Sequence, residues 1–268
     1  QSLIIGIAVA LGLAMSIGLF FLLPMIIGGF FDGVDIAVMV HGNNTAPEAN
    51  IDFSCTAGNN GCIMKTLKFK GRSAHAGGYP HLGINAQYAA MLGMQAANNL
   101  RETFQEKDIV RVHPIITDGG QMVNAIPATA TIESYVRSAS FDGMKSANKR
   151  VNQALCGAAL SLDNNVDISD FPGYAPLINS EGMIDIAMKA AEMMIPHQKM
   201  ERDYQIGSGS TDMGDLSGVM PVVHPYMPGA VGTSHGNDYY IEDGKVFVKA
   251  DVIFISLPLS CKCNTLIF

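Results

Sequence analysis

The chain has 268 residues, 48% of them hydrophobic and 15% charged, which is enough to bury a sizeable core in one or two domains. A formal net charge of −7 argues against a nucleic-acid partner, for which a basic face would be needed. Cys55, Cys62, Cys156, Cys261 and Cys263 are odd in number and irregularly spaced. They read as a reducing, cytoplasmic setting and not as a disulfide framework, and Cys261 and Cys263 lack the second pair that a structural zinc needs.

Residues 2–31 carry no charge at all. A bilayer span needs ~20 such residues, but no Lys or Arg flanks this run before Asp32. Gly6, Gly12, Gly18, Pro24, Gly28 and Gly29 also interrupt it. A buried helix of a large α/β domain is therefore favoured over a membrane segment. Residues 28–44 then read GGFFDGVDIAVMVHGNN, with a turn at Asp32-Gly33 and an apolar run of strand length at 34–40. His41 stands just past that run, where the edge of an α/β sheet places binding residues.

From residue 60 to 171 the pattern becomes that of a separate, inserted domain. Leu67 and Phe69 alternate with Lys68 and Lys70 in a half-buried strand, and Lys68, Lys70 and Arg72 read as a solvated sheet face. The loop 71–86, GRSAHAGGYPHLGINA, follows and exposes His75 among glycines and prolines. Ile84, Tyr88, Leu92, Ala96 and Leu100 recur at helical spacing, and Val110 and Val112 open a second strand that ends at Gly119-Gly120. The connection 119–130, GGQMVNAIPATA, carries Asn124. Ala128, Ala130, Ile132 and Val136 then alternate with polar residues as far as Arg137. Ser140 is a plausible cap for a helix with Phe141, Met144, Val151, Leu155 and Leu162 inward, and Val166 and Ile168 close the domain with a strand. The order βαββαβ predicts a ferredoxin-like sandwich, with helices on one face of an antiparallel sheet.

After Tyr174 an amphipathic helix starting at Ser180 runs to Met194. Residues 207–229, GSGSTDMGDLSGVMPVVHPYMPG, give a Gly/Ser loop, a helix start at Asp212 whose backbone N–H groups can receive an anionic group, and a short strand over 219–226. His224 lies within that strand and reads as structural. Residues 232–241, GTSHGNDYYI, set His235 after a second glycine-rich loop.

Five stretches resemble the metal-dependent amidohydrolases and exopeptidases of the aminoacylase and carboxypeptidase type: GIAVALGLAMSI at 6–17, the 28–44 segment, the His75 loop, the Asn124 connection and GTSHGNDYYI. The resemblance implies an α/β fold: a partial zinc-exopeptidase-like catalytic domain over 1–60 and 175–268, with an inserted ferredoxin-like lid and dimerisation domain over 61–174. It implies hydrolysis of an amide bond in an N-acyl amino acid or a small peptide-like substrate. His41 and His235 correspond to metal ligands for zinc or manganese, with Asp238 as a partner orienting His235. His75 and Asn124 correspond to catalytic, substrate-facing residues of the lid, and Arg137 suits a substrate carboxylate. Asp212 is assigned to substrate binding. A homodimer through the lid is implied, in which His75 serves the partner's site.

The chain departs from the family at both ends. It starts after the first metal motif, and residues 18–27, GLFFLLPMII, hold no acid where a Glu-Glu pair would stand. Glu48 is the nearest carboxylate, and residues 251–268 are β-branched and contain Pro258 where the family has an Ala-rich helix. Two rival readings follow. One is an inactive or truncated relative that keeps the fold and dimer; the other is a membrane-anchored binding protein using residues 2–31.

Overall fold

The computed structural model describes residues 22–43, 51–194, 199–228, 230–233, 235–241 and 265–267. The helix expected at 6–17, Glu48, and Pro258, Cys261 and Cys263 of the tail lie outside the described residues. The chain divides into two compact units, Asn60–Pro176 with Ser208–Ser210 and the remainder. Ahead of the insertion come a helix, α1 (Leu22–Ile27), and four short strands, β1 (Ile36–Val38), β2 (His41–Asn43), β3 (Phe53–Cys55) and β4 (Gly58–Asn59). No helix among the described residues is long and apolar enough to cross a membrane.

The inserted unit is the βαββαβ sandwich that alternation in the sequence predicts. Its elements are β5 (Gly61–Lys70), α2 (Ala86–Asn98), β6 (Arg111–Asp118), β7 (Thr129–Ser138), α3 (Phe141–Ser161) and β8 (Asn165–Tyr174). The sheet runs β6-β7-β5-β8 and is antiparallel throughout. Register follows the period of two: Leu67 and Phe69 on β5 and Ala130, Ile132 and Val136 on β7 all face one core, into which Val151 and Leu155 of α3 also pack. Each of these larger apolar side chains contributes roughly 1.5–3 kcal/mol on burial. Both helices begin on side-chain caps: Asn85 accepts from the Tyr88 N–H and Ser140 from the Gly143 N–H.

Helix α2 departs from expectation in the face it buries. Ala86, Ala89, Ala90, Gly93 and Ala97 point inward, while Tyr88 and Leu92 face solvent. The reason is close approach: a Cβ at Gly93 would lie 3.0 Å from Leu155 and 3.1 Å from Phe69. Phe141 and Leu162, expected inward, are exposed as well, because they sit at the two ends of the α3 interface.

The other unit is assembled from short strands brought together over long sequence separations. After β8 come β9 (Leu177–Ile178), α4 (Glu181–Met194), β10 (Met200–Arg202), β11 (Ile206–Gly207), α5 (Met213–Ser217), β12 (Val222–Val223), β13 (Tyr226–Pro228), β14 (Ala230–Val231), β15 (Tyr240–Ile241) and β16 (Thr265–Ile267). Strands β12, β1 and β16 pair in parallel, and a second sheet runs β10-β3-β13-β2. The strand expected over 219–226 is therefore two, broken where Pro225 has no N–H to give a ladder. Val38, Phe53, Val223 and Met227 pack with Ile184, Ala187 and Ala191 of α4. Phe31, Ala37, Leu177 and Val222 pack with Met213 and Leu216 of α5, and Leu22, Met25 and Ile26 of α1 lie against that cluster.

Lys65 is the buried charged residue of the inserted unit among the described residues, its side chain fully buried on β5. Its ammonium donates to Asn148 at 2.7 Å and pairs with Asp170 of β8, which also accepts from Asn148 and Asn152. Burial alone would raise the Asp170 carboxyl, but the hydrogen bonds from Lys65, Asn148 and Asn152 overrule it and hold it below the usual carboxylate range. Stability from this group is thus complete above the ordinary carboxylate value of about 3.9 and is lost as pH falls through the lower folded value. Lys65→Met should cost about 3 kcal/mol by leaving Asp170 without its cation, read as faster hydrogen exchange in β5 and β8. Asp170→Asn should flatten the acid limb of the stability curve.

Candidate functional site

Two groups of chemistry-bearing side chains stand out, one in each unit. In the inserted unit, the loop after β5 runs back beside the connection between β6 and β7. His75 forms an isolated antiparallel bridge with Ala125, the Ala76 N–H donates to the Asn124 carbonyl at 2.9 Å, and the Ile126 N–H to the Ala74 carbonyl at 2.9 Å. Two residues separated by 49 positions, His75 and Asn124, are in this way brought side by side, and both are exposed. The imidazole is oriented by its own loop: Nδ1 accepts the N–H of Gly78 at 2.9 Å and that of Gly77 at 3.2 Å. With Nδ1 used as acceptor, the neutral ring carries its proton on Nε2, facing outward as a donor. An open cavity of about 600 Å³ adjoins the pair, lined among others by Ala76, Asn85, Tyr88, Met122 and Ile126.

Arg137 is not part of this cluster. It stands toward the opposite end of β7, eight residues from Thr129, or about 27 Å at about 3.4 Å per residue. There its guanidinium lies 5.4 Å from the centroid of the Tyr135 ring, and its buried Nε has no hydrogen-bond partner among the described residues. Burial pushes the His113 imidazole down, and Arg137, Arg101 and Arg111 reinforce the shift. This end of the sheet is therefore cationic and suited to a carboxylate.

In the other unit the parallel pairing of β13 with β2 sets Tyr226 directly opposite His41. The His41 Nδ1 lies 2.7 Å from the Gly42 carbonyl, which leaves Nε2 as a free lone pair. Its ring neighbours are His224, 5.8 Å away between centroids at 85°, and Tyr226 at 5.6 Å. His224 is 1% exposed, and neither Nδ1 nor Nε2 has a hydrogen-bond partner among the described residues. Burial, with His41 beside it, pushes the His224 imidazole down to about 3, so the ring is neutral. Its backbone N–H is held by Asn179 Oδ1 at 3.0 Å, and Asn179 is in turn anchored on the Thr56 carbonyl. Burial pushes the Tyr226 phenol up, against a hydrogen bond from Asn59 at 2.5 Å.

His235 occupies the turn between β14 and β15 at φ 62°, exposed, with no hydrogen bond or ring contact to His41 among the described residues. Asp238 does not orient it; its carboxylate accepts the Thr233 N–H at 3.2 Å and braces the loop behind Gly232. Asp212 precedes the five-residue α5 without capping it, and burial pushes its carboxyl up against a hydrogen bond from Thr211. Among the described residues no three His, Cys, Asp or Glu side chains cluster as a metal site. The donors on hand, the Nε2 lone pair of His41 and the orphaned nitrogens of His224, fit a single divalent ion held by imidazoles. They do not fit a centre bridged by a carboxylate. The expectation of a structural His224 did not include its place beside the His41 ring; the signal for that neighbourhood was an imidazole at a break between Val223 and Pro225.

Comparison with known proteins places these features. Residues 57–160 match the peptidase dimerisation domain. The chain is 30% identical over 206 residues to the Xaa-Arg dipeptidase of Mus musculus, an alignment covering 76% of this chain and 46% of that protein. It is 34% identical over 144 residues to a p-aminobenzoyl-glutamate hydrolase of Escherichia coli, covering 53% of this chain and 28% of that one. The solved structure of an aminobenzoyl-glutamate utilization protein from Klebsiella pneumoniae is similar with a TM-score of 0.60 at 18% identity, over 85% of this chain and 55% of that one, and so shares the fold. The chain spans less than half the length of these curated relatives.

The His75 geometry makes a spectroscopic prediction. Ring-nitrogen shifts of the neutral imidazole should report the Nε2-protonated tautomer. Protonating the ring should break both glycine contacts and speed amide exchange at Gly77 and Gly78, whereas a His75 ring that keeps its proton on Nδ1 would contradict the assignment.

Proposed function

Since the chain belongs to the metal-dependent amidohydrolase and exopeptidase family of the aminoacylase and carboxypeptidase type, we propose that the protein hydrolyses the amide bond of a dipeptide or N-acyl amino acid. The observation that carries this reading is the His75–Asn124 pair, set side by side with Nε2–H outward, on the domain that matches the family. His75 donates to the carbonyl oxygen as negative charge develops on it, and Asn124 binds the same substrate. Arg137 holds a substrate carboxylate, and Asp212 receives a substrate N–H. His41 and His235 hold the divalent ion, zinc or manganese, which when bound supplies Lewis-acid polarisation and an activated water. Free Cys55, Cys62 and Cys156 suit a cytoplasmic setting.

The distance along β7 bears on assembly. One small substrate cannot touch His75 and Arg137 of a single copy when about 27 Å of strand lies between them. Two copies remove the difficulty, because each supplies its His75 to one substrate and its Arg137 to another. The surface supports a homodimer: Tyr88, Met91 and Leu92 of α2 and Ile115 of β6 are large, apolar and exposed. Strand β6 is also an edge of its sheet, pairing with β7 alone among the described residues.

Metal analysis and hydrolysis of a panel of dipeptides and N-acyl amino acids test the reading together. Bound metal with turnover that falls about 10²–10³-fold in kcat for His75→Ala is the expected result. Neither metal nor turnover would instead indicate an inactive relative. Met91→Glu combined with Ile115→Lys should convert a dimer into a monomer by sedimentation, and an unchanged sedimentation coefficient would rule out a dimer made through α2 and the β6 edge.

A further inference from the structure

The function proposed above leaves His224 unused, yet it is the most unusual polar group in its unit. A buried imidazole normally satisfies at least one ring nitrogen, since a polar group without a partner is costly to bury. Here both nitrogens are without a hydrogen-bond partner among the described residues, and the residue is 1% exposed. The ring is not there by loose packing. Its backbone N–H is fixed by Asn179, the preceding Val223 lies in the core beside Val38 and Met227, and the following Pro225 accepts the His41 N–H at 2.9 Å. The chain therefore holds the His224 ring against the His41 ring by three independent anchors.

We propose that His224 is a metal-binding residue, sharing one divalent transition-metal ion with the Nε2 of His41. Two imidazoles on one ion, with metal–nitrogen bonds of about 2.0–2.1 Å and an open tetrahedral angle, place their ring centroids roughly 5–6 Å apart. The observed separation is 5.8 Å, with the rings nearly perpendicular. The Gly42 carbonyl beside the His41 Nδ1 is the outer partner that fixes the tautomer of a metal-bound imidazole. The Tyr226 phenol already accepts a hydrogen bond from Asn59, whereas the His224 nitrogens have no partner among the described residues and are the better donors. A donor set built on imidazole favours zinc, cobalt or nickel over manganese, which prefers carboxylate and water oxygens.

This inference rests on the reading that the protein binds a metal at His41, and the experiment separates the two. The chelator-stripped full chain is titrated with Zn²⁺ and with Co²⁺, following bound metal by equilibrium dialysis and the cobalt visible spectrum. The expected result is one ion per chain near His41, little Mn²⁺ binding, and zinc affinity reduced more than about 100-fold in both His41→Ala and His224→Gln, with Tyr226→Phe unchanged. An altered cobalt spectrum in His224→Gln is also expected. Zinc affinity and cobalt spectrum unchanged in His224→Gln, with His41→Ala defective, would overturn the His224 assignment and leave the metal reading standing. No zinc on the unaltered chain would overturn both. If His224→Gln fails to fold, ring-nitrogen resonances of the unaltered, histidine-labelled chain decide: shifts at both His41 and His224 on zinc addition support the proposal, and shifts that spare His224 refute it.

Discussion

The pairing of β13 with β2 is the constraint on which the chemistry of the larger unit depends. Tyr226 lies opposite His41, and Pro225 takes the His41 N–H, so the residue before them, His224, is delivered to the same ring. Side chains alternate across a strand, so a slip of one residue would turn His41 away from Tyr226 and separate the imidazoles. The pairing joins residues far apart in sequence and is only three residues long. Its stability must come from packing, through Val223 and Met227 against Phe53 and the Ala187 face of α4. The site is thus fixed by a core that contains none of its donors.

The two units reach order by different physical routes, and this decides how much of each was legible in the sequence. In the inserted unit β5, β7 and β8 are ten residues each, long enough for period-two alternation to show, and α3 carries a visible Ser140 cap. The βαββαβ order could be read directly from that pattern. What could not be read was the inward face of α2, because small residues that permit close approach look neutral in a sequence while Tyr88 and Leu92 look buried. Lys65 was invisible for a similar reason: within Lys-Thr-Leu-Lys-Phe-Lys it is one lysine among three, and only the register with Asp170 sets it apart.

The larger unit was legible through resemblance more than through pattern. Strands of two or three residues, such as β4, β9, β11 and β12, cannot display a period, and their partners lie over a hundred residues away in several cases. The resemblance supplied His41 and His235 as metal residues, and both are exposed, but their surroundings are unlike: one ring has His224 and Tyr226 as neighbours, the other sits on a turn at positive φ. Asp238, expected as the partner orienting His235, closes the Gly232 loop instead, where a Cβ would meet the Asp238 carbonyl at 2.0 Å. Neighbourhood in sequence was a poor guide wherever glycine let the backbone double back.

The nature of the donors also explains why they can sit where they do. An ionised carboxylate buried in place of His224, next to the core of Val38, Phe53, Val223 and Met227, would carry a desolvation cost of several kcal/mol unless a cation met it. A neutral imidazole brings a far smaller cost and keeps a lone pair available. A binding centre assembled from the buried His224 and the exposed His41 can therefore form at the margin of the apolar core before any ion arrives, and its segment of chain needs no compensating charge. In such a centre the ion would not have to offset buried negative charge; it would have only to replace the missing partners of two ring nitrogens.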